Sequence, residues 1–305
     1  METKYWKAFD LFNEPANGRH IQLVKTSIEI PGEIELMINE HWDKQLEEKQ
    51  AELKRACIDT EIQEFDEGVR ALYEEGKSIM WPGPCVSLNN IELVGKYTDL
   101  CVIQTSYPYI EASKDPEIIK KFKEKKIPVP TPPLAVCTYA VTKDEQLVLT
   151  VRGLKTTVYP GRYYGAGGNL KTIKSDIISN QENELQDEIL VNTDEYSSDE
   201  FYFGDIVIDK EDFPKKPDLV GWLPVNLESI DIMERVHKRE QNDRPNDASN
   251  VLFVSSRENV LFDYLAKTDP RQFCPAAHAG LIVYGKHHFG EEWAEELLKK
   301  IKALL

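Results

Sequence analysis

The sequence predicts an α/β fold preceded by a smaller α+β unit. Three observations carry this. From Leu134 onward, short strand-like runs alternate with segments of helical period. Between Tyr159 and Val191 those strands are interrupted by a glycine loop that leads into an acidic helix. The stretch at 128–133, PVPTPP, holds four prolines in six residues. Such a stretch favours extended polyproline geometry and marks a boundary, so residues 1–127 form the N-terminal unit and 134–305 the main domain.

In the first unit, the partly alternating run from His20 to Ile30 predicts a strand, and Pro31-Gly32 a turn. Residues 33–75 place Leu46, Leu53, Ala56, Ile62, Phe65, Val69 and Leu72 close to helical spacing, which gives one or two amphipathic helices. After the break at Trp81-Pro82-Gly83-Pro84, the runs CVSLNNIELVG and TDLCVIQTSYPYI predict two paired strands. Asp115 to Lys126 predicts a short helix with a solvated basic end. Beyond the prolines, residues 134–153 predict two strands around a turn at Lys143-Asp144. Further strands follow at 200–209, 219–227 and 250–255, with a polar loop or exposed helix at 234–248. The spans 258–266 and 275–284 suit buried helices, and 291–305 an amphipathic one.

Composition narrows the classes of function. The 305 residues include 37 Lys and Arg against 53 Asp and Glu, for a net charge of -16. Non-specific nucleic-acid binding needs clustered positive charge, and this balance argues against it. The charged N-terminus has no apolar signal region, and no run of 18 apolar residues occurs, so neither a signal peptide nor a membrane span is expected. Five scattered cysteines without a CxxC pair read as reduced thiols. A cytoplasmic location follows as the expectation.

The chemistry concentrates in YPGRYYGAGGNLKTIKSDIISNQENELQDEILV, residues 159–191. Glu184, Asp187 and Glu188 stand at i, i+3 and i+4, so on a helix their Cβ atoms lie roughly 5–6 Å apart. Three such carboxylates repel unless a cation neutralises them, and a hard divalent ion such as Mg²⁺ prefers oxygen ligands. The other reading is a solvated acidic face after an ordinary glycine turn. Loop and helix in this order resemble the signature of the Nudix hydrolases. Against that signature, the family's arginine is Asn183, its late glycine Leu190 and its first glutamate Lys174, and the connection to the helix is one residue longer. Three further stretches are similar to the UDP-glucose and UDP-galactose pyrophosphatase branch of that family. They are Gln104-Thr105-Ser106-Tyr107, the run VCTYAVTKD at 136–144, and FCPAAHAG at 273–280. That branch also has an Asp-Glu pair where Asp187-Glu188 stands here.

The resemblance implies a Nudix α/β/α sandwich with a mixed sheet and hydrolysis of a nucleotide-sugar diphosphate to UMP and sugar 1-phosphate. It implies Mg²⁺ or Mn²⁺ as cofactor, held by Glu184, Asp187 and Glu188 as the catalytic group. Read from the residues, Gly167 and Gly168 let backbone approach the diphosphate, Arg152 and Arg162 flank the loop and either pair with phosphates or form surface salt bridges, and Tyr107, Tyr163 and Tyr164 either stack on the base or serve as core aromatics. The expected partner is a small nucleotide-sugar, with neither nucleic acid nor membrane. Two alternatives stay open: a non-catalytic Nudix-like nucleotide-binding module, which Lys174 and Asn183 favour, and hydrolysis of another conjugate such as ADP-ribose. His278, within an apolar run, reads as a core histidine in preference to a catalytic base.

Overall fold

The computed structural model describes residues 1–9, 16–17, 21–26, 29–59, 84–94, 97–129, 132–153, 159–172, 176–210, 216–240 and 248–304. Its strands are β1 (Trp6–Phe9), β2 (Ala16–Asn17), β3 (Ile21–Lys25), β4 (Pro84–Val94), β5 (Tyr97–Ser106), β6 (Ala135–Val141), β7 (Gln146–Arg152), β8 (Tyr163–Tyr164), β9 (Ala166–Asn169), β10 (Tyr202–Asp209), β11 (Pro217–Pro224) and β12 (Ala248–Ser255). Its α-helices are α1 (Gly32–Asp59), α2 (Tyr107–Ala112), α3 (Pro116–Glu124), α4 (Ile177–Ile189), α5 (Ser229–Glu240), α6 (Glu258–Lys267), α7 (Pro275–Phe289) and α8 (Glu291–Leu304).

Among the described residues the main sheet runs β1-β10-β11-β6-β7-β12, with β2 on β10, β8 on β7 and β9 on β6. The β6–β11 pair is parallel and the others are antiparallel, so the sheet is mixed. Apolar clusters cover both faces. Ile177, Leu185 and Ile189 of α4 join Ile232 and Val236 of α5 on one side. Residues of α6, α7 and α8 pack on the other. This is an α/β/α sandwich, the class the sequence predicts. A second sheet, β3-β5-β4, belongs to the N-terminal part. It joins the main sheet through β4, where the Val86 N–H donates to the Leu170 carbonyl at 2.9 Å and the Leu134 N–H donates to the Val86 carbonyl at 2.7 Å. β1 pairs with β10, Trp6 opposite Asp209, so the main sheet takes strands from both sides of the proline-rich stretch.

Several local expectations change. The strands at 134–153 both form, but the register between them holds only Val141 opposite Leu147. Beyond that pair they separate, and each satisfies its backbone against the glycine stretch: β9 on β6 and β8 on β7. The run TDLCVIQTSYPYI stops being a strand at Ser106, because Pro108 suits the first turn of α2. Of the two forms expected at 234–248, a loop or an exposed helix, residues up to Glu240 take the helical one, as the end of α5. Of the helical positions expected at 33–75, Ile62, Phe65, Val69 and Leu72 lie outside the described residues, as does Lys174. No helix among the described residues is long and apolar enough to cross a membrane.

His278 shows how the two ends of the chain are tied. It is 1% exposed on α7, and its Nδ1 accepts a hydrogen bond of 3.0 Å from the indole Nε1–H of Trp6. Its Nε2 meets no hydrogen-bonding group among the described residues. Burial therefore pushes the imidazole pKa down to about 4. In the unfolded chain the value is near 6.5, so between these values the unfolded state binds more protons. Stability is complete above about pH 6.5 and falls as pH drops toward 4, by about 3 kcal/mol for this group. Denaturant midpoints measured across that range should fall less steeply with acid in His278→Gln than in the wild type. Equal slopes would show that His278 is protonated in the fold.

Candidate active site

Helix α4 begins where a short polar side chain can cap it. The Asp176 carboxylate accepts the Ser179 N–H at 2.7 Å, which gives a partner to one of the four first-turn amides that have none within the helix. The helix thus runs from Ile177 to Ile189. Ile177, Gln181, Leu185, Glu188 and Ile189 form its buried face. At about 100° per residue, Glu184 lies only about 40° from Glu188 around the axis, whereas Asp187 lies about 100° away. Glu188 is accordingly 8% exposed, the Glu184 side chain is 23% exposed, and Asp187 is exposed.

The buried face docks on β9. Gln181 donates from Nε2 to the Ala166 carbonyl at 2.6 Å, and the Gly167 N–H donates to Glu188 Oε2 at 3.0 Å. Side chains of α4 thereby bond directly to the backbone of β9. The two glycines have steric, not conformational, roles, since neither has a positive φ. A Cβ on Gly167 would lie 1.9 Å from the Val136 carbonyl oxygen, and one on Gly168 would lie 2.8 Å from Glu184 Oε1. The space opened at Gly168 is taken by the Glu184 carboxylate. Lys171 Nζ stands 4.0 Å from Glu184 Oε1.

The N-terminal part reaches the same place. Asn169 of β9 donates from Nδ2 to the Tyr107 hydroxyl, and burial pushes the Tyr107 phenol up to about 12. Gln104 Nε2 donates to the carbonyls of Cys85 and Lys171, each at 3.1 Å. The QTSY stretch is therefore built against the strand that carries the glycines. Arg152 lies within electrostatic reach of Tyr107, with its guanidinium 5.6 Å from the centre of the Tyr164 ring.

Other expected site residues sit elsewhere. Tyr164 is 5% exposed in the apolar cluster on the α7 side of the sheet. Its hydroxyl donates to Asp218 Oδ1 at 2.7 Å, and Lys216 Nζ lies 2.7 Å from the same oxygen. Arg162 stacks at 4.7 Å over Tyr159, whose hydroxyl donates to Asp209 Oδ2. Tyr163 packs edge-on against Phe273 at 5.4 Å. The structure brings Glu184, Glu188, Gly167 and Gly168 together, and Tyr107 meets Asn169, the next residue of β9. It puts Tyr164 and Arg162 with the α7-side residues, because β8 pairs with β7 and carries its tyrosines into that cluster. Among the described residues no three of His, Cys, Asp and Glu converge tightly enough to hold a metal between them. Glu184 and Glu188 face β9, and the helical period turns Asp187 outward.

Sequence reasoning missed Gln181 and Asn169, which dock α4 and Tyr107 on β9. It also missed Arg235 and Arg239 of α5, which bond to the end of α4. The signal for the arginines was their i, i+4 spacing, which puts both on one helical face.

No family model and no curated protein sequence matches the chain. Among solved structures, a UDP-X diphosphatase is similar at 13% identity over 81% of this chain and 95% of that one, with a TM-score of 0.32. The NUDIX domain of Shewanella oneidensis NrtR, complexed with ADP ribose, gives 11% identity, 60% and 97% coverage and a TM-score of 0.32. A NUDIX hydrolase from Nitrosomonas europaea gives 11% identity, 41% and 73% coverage and a TM-score of 0.27. At such scores these likenesses carry no argument about this chain.

Proposed function

We propose that this protein is a divalent-metal-dependent pyrophosphatase of the Nudix kind, acting on nucleotide-sugars of the UDP-glucose and UDP-galactose class. The observation that carries the reading is the convergence of Glu184 and Glu188 on the β9 glycines, with nothing larger than a glycine hydrogen between Glu184 and the strand. Hard carboxylate oxygens on a half-buried surface fit Mg²⁺. That ion keeps several waters and takes one or two carboxylates plus substrate phosphates, not a cage made wholly of protein. A pair of glutamates is therefore a sufficient protein contribution. Mg²⁺ or Mn²⁺, when bound, neutralises diphosphate charge and makes water a better nucleophile.

The chain's own residues supply position. Glu188 is fixed from below by the Gly167 N–H, and Glu184 rests on Gly168. Asp187, exposed beside them, is placed to orient water or to approach from the solvent side. Tyr107 presents a neutral phenol, since burial has moved its ionisation far above physiological pH. In this reading Tyr107, with Gln104 and Arg152, binds the rest of the nucleotide, supported by the bond of Tyr107 to Asn169 beside the glycines. The products of this reading are UMP and sugar 1-phosphate.

The second reading, a nucleotide-binding module without hydrolysis, is favoured by one feature: Lys171 already stands beside Glu184 at 4.0 Å. A product assay across UDP-glucose, UDP-galactose and ADP-ribose with Mg²⁺ or Mn²⁺ separates the readings. Uridine conjugates should be hydrolysed faster than ADP-ribose. Equal rates would remove the case for UDP-sugars, and release of no mononucleotide from any substrate would leave the binding module.

A further inference from the structure

We infer that Arg239, assisted by Arg235, is a positioning residue that holds the carboxylate helix in register from its C-terminal end. The inference rests on the reading of α4 as the metal-binding helix. The last carbonyls of a helix have no partners within it and form the negative end of its dipole. Here Arg239 of α5 donates through Nη1 to the Asp187 carbonyl and through Nη2 to the Glu188 carbonyl at 3.0 Å. One turn earlier on the same face, Arg235 donates through Nη1 to the Leu190 carbonyl at 3.0 Å. It also grips Glu195 through both nitrogens, at 2.8 and 2.6 Å.

The end of α4 needs such a hold. Leu190 adopts φ 57°, ψ 36°, a left-handed conformation that strains residues other than glycine. Glu195, held by Arg235, accepts the Asn192 N–H at 2.8 Å, so the turn after the strained residue is fastened to the same arginine. Glu188 is thus fixed twice, by its carbonyl to Arg239 and by its carboxylate to Gly167. Asn183, within the helix, is exposed. The guanidinium groups that hold the backbone of this helix end come from a helix about fifty residues later in the chain. A planar guanidinium can bridge two adjacent carbonyls, whereas a lysine ammonium offers a single point charge. Loosening the last turn would shift Glu188 while leaving Glu184, one turn earlier, in place, so the spacing of the pair is what Arg239 controls.

The test measures binding of Mn²⁺ alone, together with kcat, KM and thermal melting on UDP-glucose. The proteins are the wild type, Arg239→Gln, Arg239→Lys and the exposed neighbour control Lys238→Gln. Loss of an outer partner of a metal ligand typically weakens binding roughly ten- to hundredfold. Arg239→Gln should weaken Mn²⁺ by such a factor and lower kcat with KM little changed. Arg239→Lys should recover only part, and Lys238→Gln should match the wild type. If Arg239→Gln does not fold, Arg239→Lys alone carries the comparison. Wild-type Mn²⁺ affinity in the Arg239 variants, even with lower melting temperatures, overturns the inference and leaves Arg239 a purely structural cap. A wild-type protein that neither binds Mn²⁺ nor hydrolyses a nucleotide-sugar overturns the metal-site reading itself, and the inference with it.

Discussion

Replacing Glu188 by glutamine is expected to lower nucleotide-sugar turnover about a hundredfold or more, because charge stabilisation of this kind is typically worth about 3 kcal/mol or more. The substitution keeps the size and removes the charge. Glutamine's oxygen can still accept the Gly167 N–H that Glu188 Oε2 accepts now at 3.0 Å, so the helix should remain docked. Two opposing effects act on the metal-free fold. Relief of the i, i+4 repulsion with Glu184 stabilises by about 0.3 kcal/mol. Exchanging a charge-assisted hydrogen bond for a neutral one costs about 1 kcal/mol. The second is larger, so the melting temperature should fall slightly. From the spacing of the carboxylates alone, a rise would be expected. Turnover and metal-dependent melting of both proteins check this. A Glu188→Gln variant with the wild-type rate would remove Glu188 from the catalytic group.

Gly167→Ala is expected to have the largest effect on stability, about 3 kcal/mol or more. Its Cβ would lie 1.9 Å from the Val136 carbonyl oxygen and 3.1 Å from the Cys137 Cα. Both are backbone atoms of β6, which sits between β11 and β7 in the strand order and cannot move alone. Gly168→Ala provides the contrast. There the nearest atoms, at 2.8, 2.9 and 3.1 Å, all belong to the Glu184 carboxylate, the far end of a flexible side chain. That variant should keep its denaturant midpoint close to wild type while losing turnover, since Glu184 must swing off the strand. A Gly167→Ala protein with a wild-type midpoint would contradict the packing of β9 on β6. A Gly168→Ala protein with wild-type turnover would mean that Glu184 does not act from its position on the strand.

Much of α4 was legible in the chain because a helix is a local object. Its period alone places Glu184 beside Glu188 and sets Leu185 and Ile189 on the buried face. The buried run of α7 is equally a matter of neighbouring residues. Asp187 marks the limit of that reading: counted along the sequence it belongs to the trio, but the same period turns it to solvent. Side-chain parity along β8 and β9 could be read locally, yet not which helical layer each parity meets. Only the separation of β6 from β7 decided that Tyr164 enters the α7-side cluster while Gly168 faces Glu184. In the same way, the i, i+4 pair Arg235 and Arg239 was visible as a pattern, but its target was not. The carbonyls it holds belong to a helix about fifty residues earlier. Bonds between groups so far apart in sequence form only when the sheet has brought α4 and α5 to the same face, so they leave no spacing in the chain from which they could be inferred.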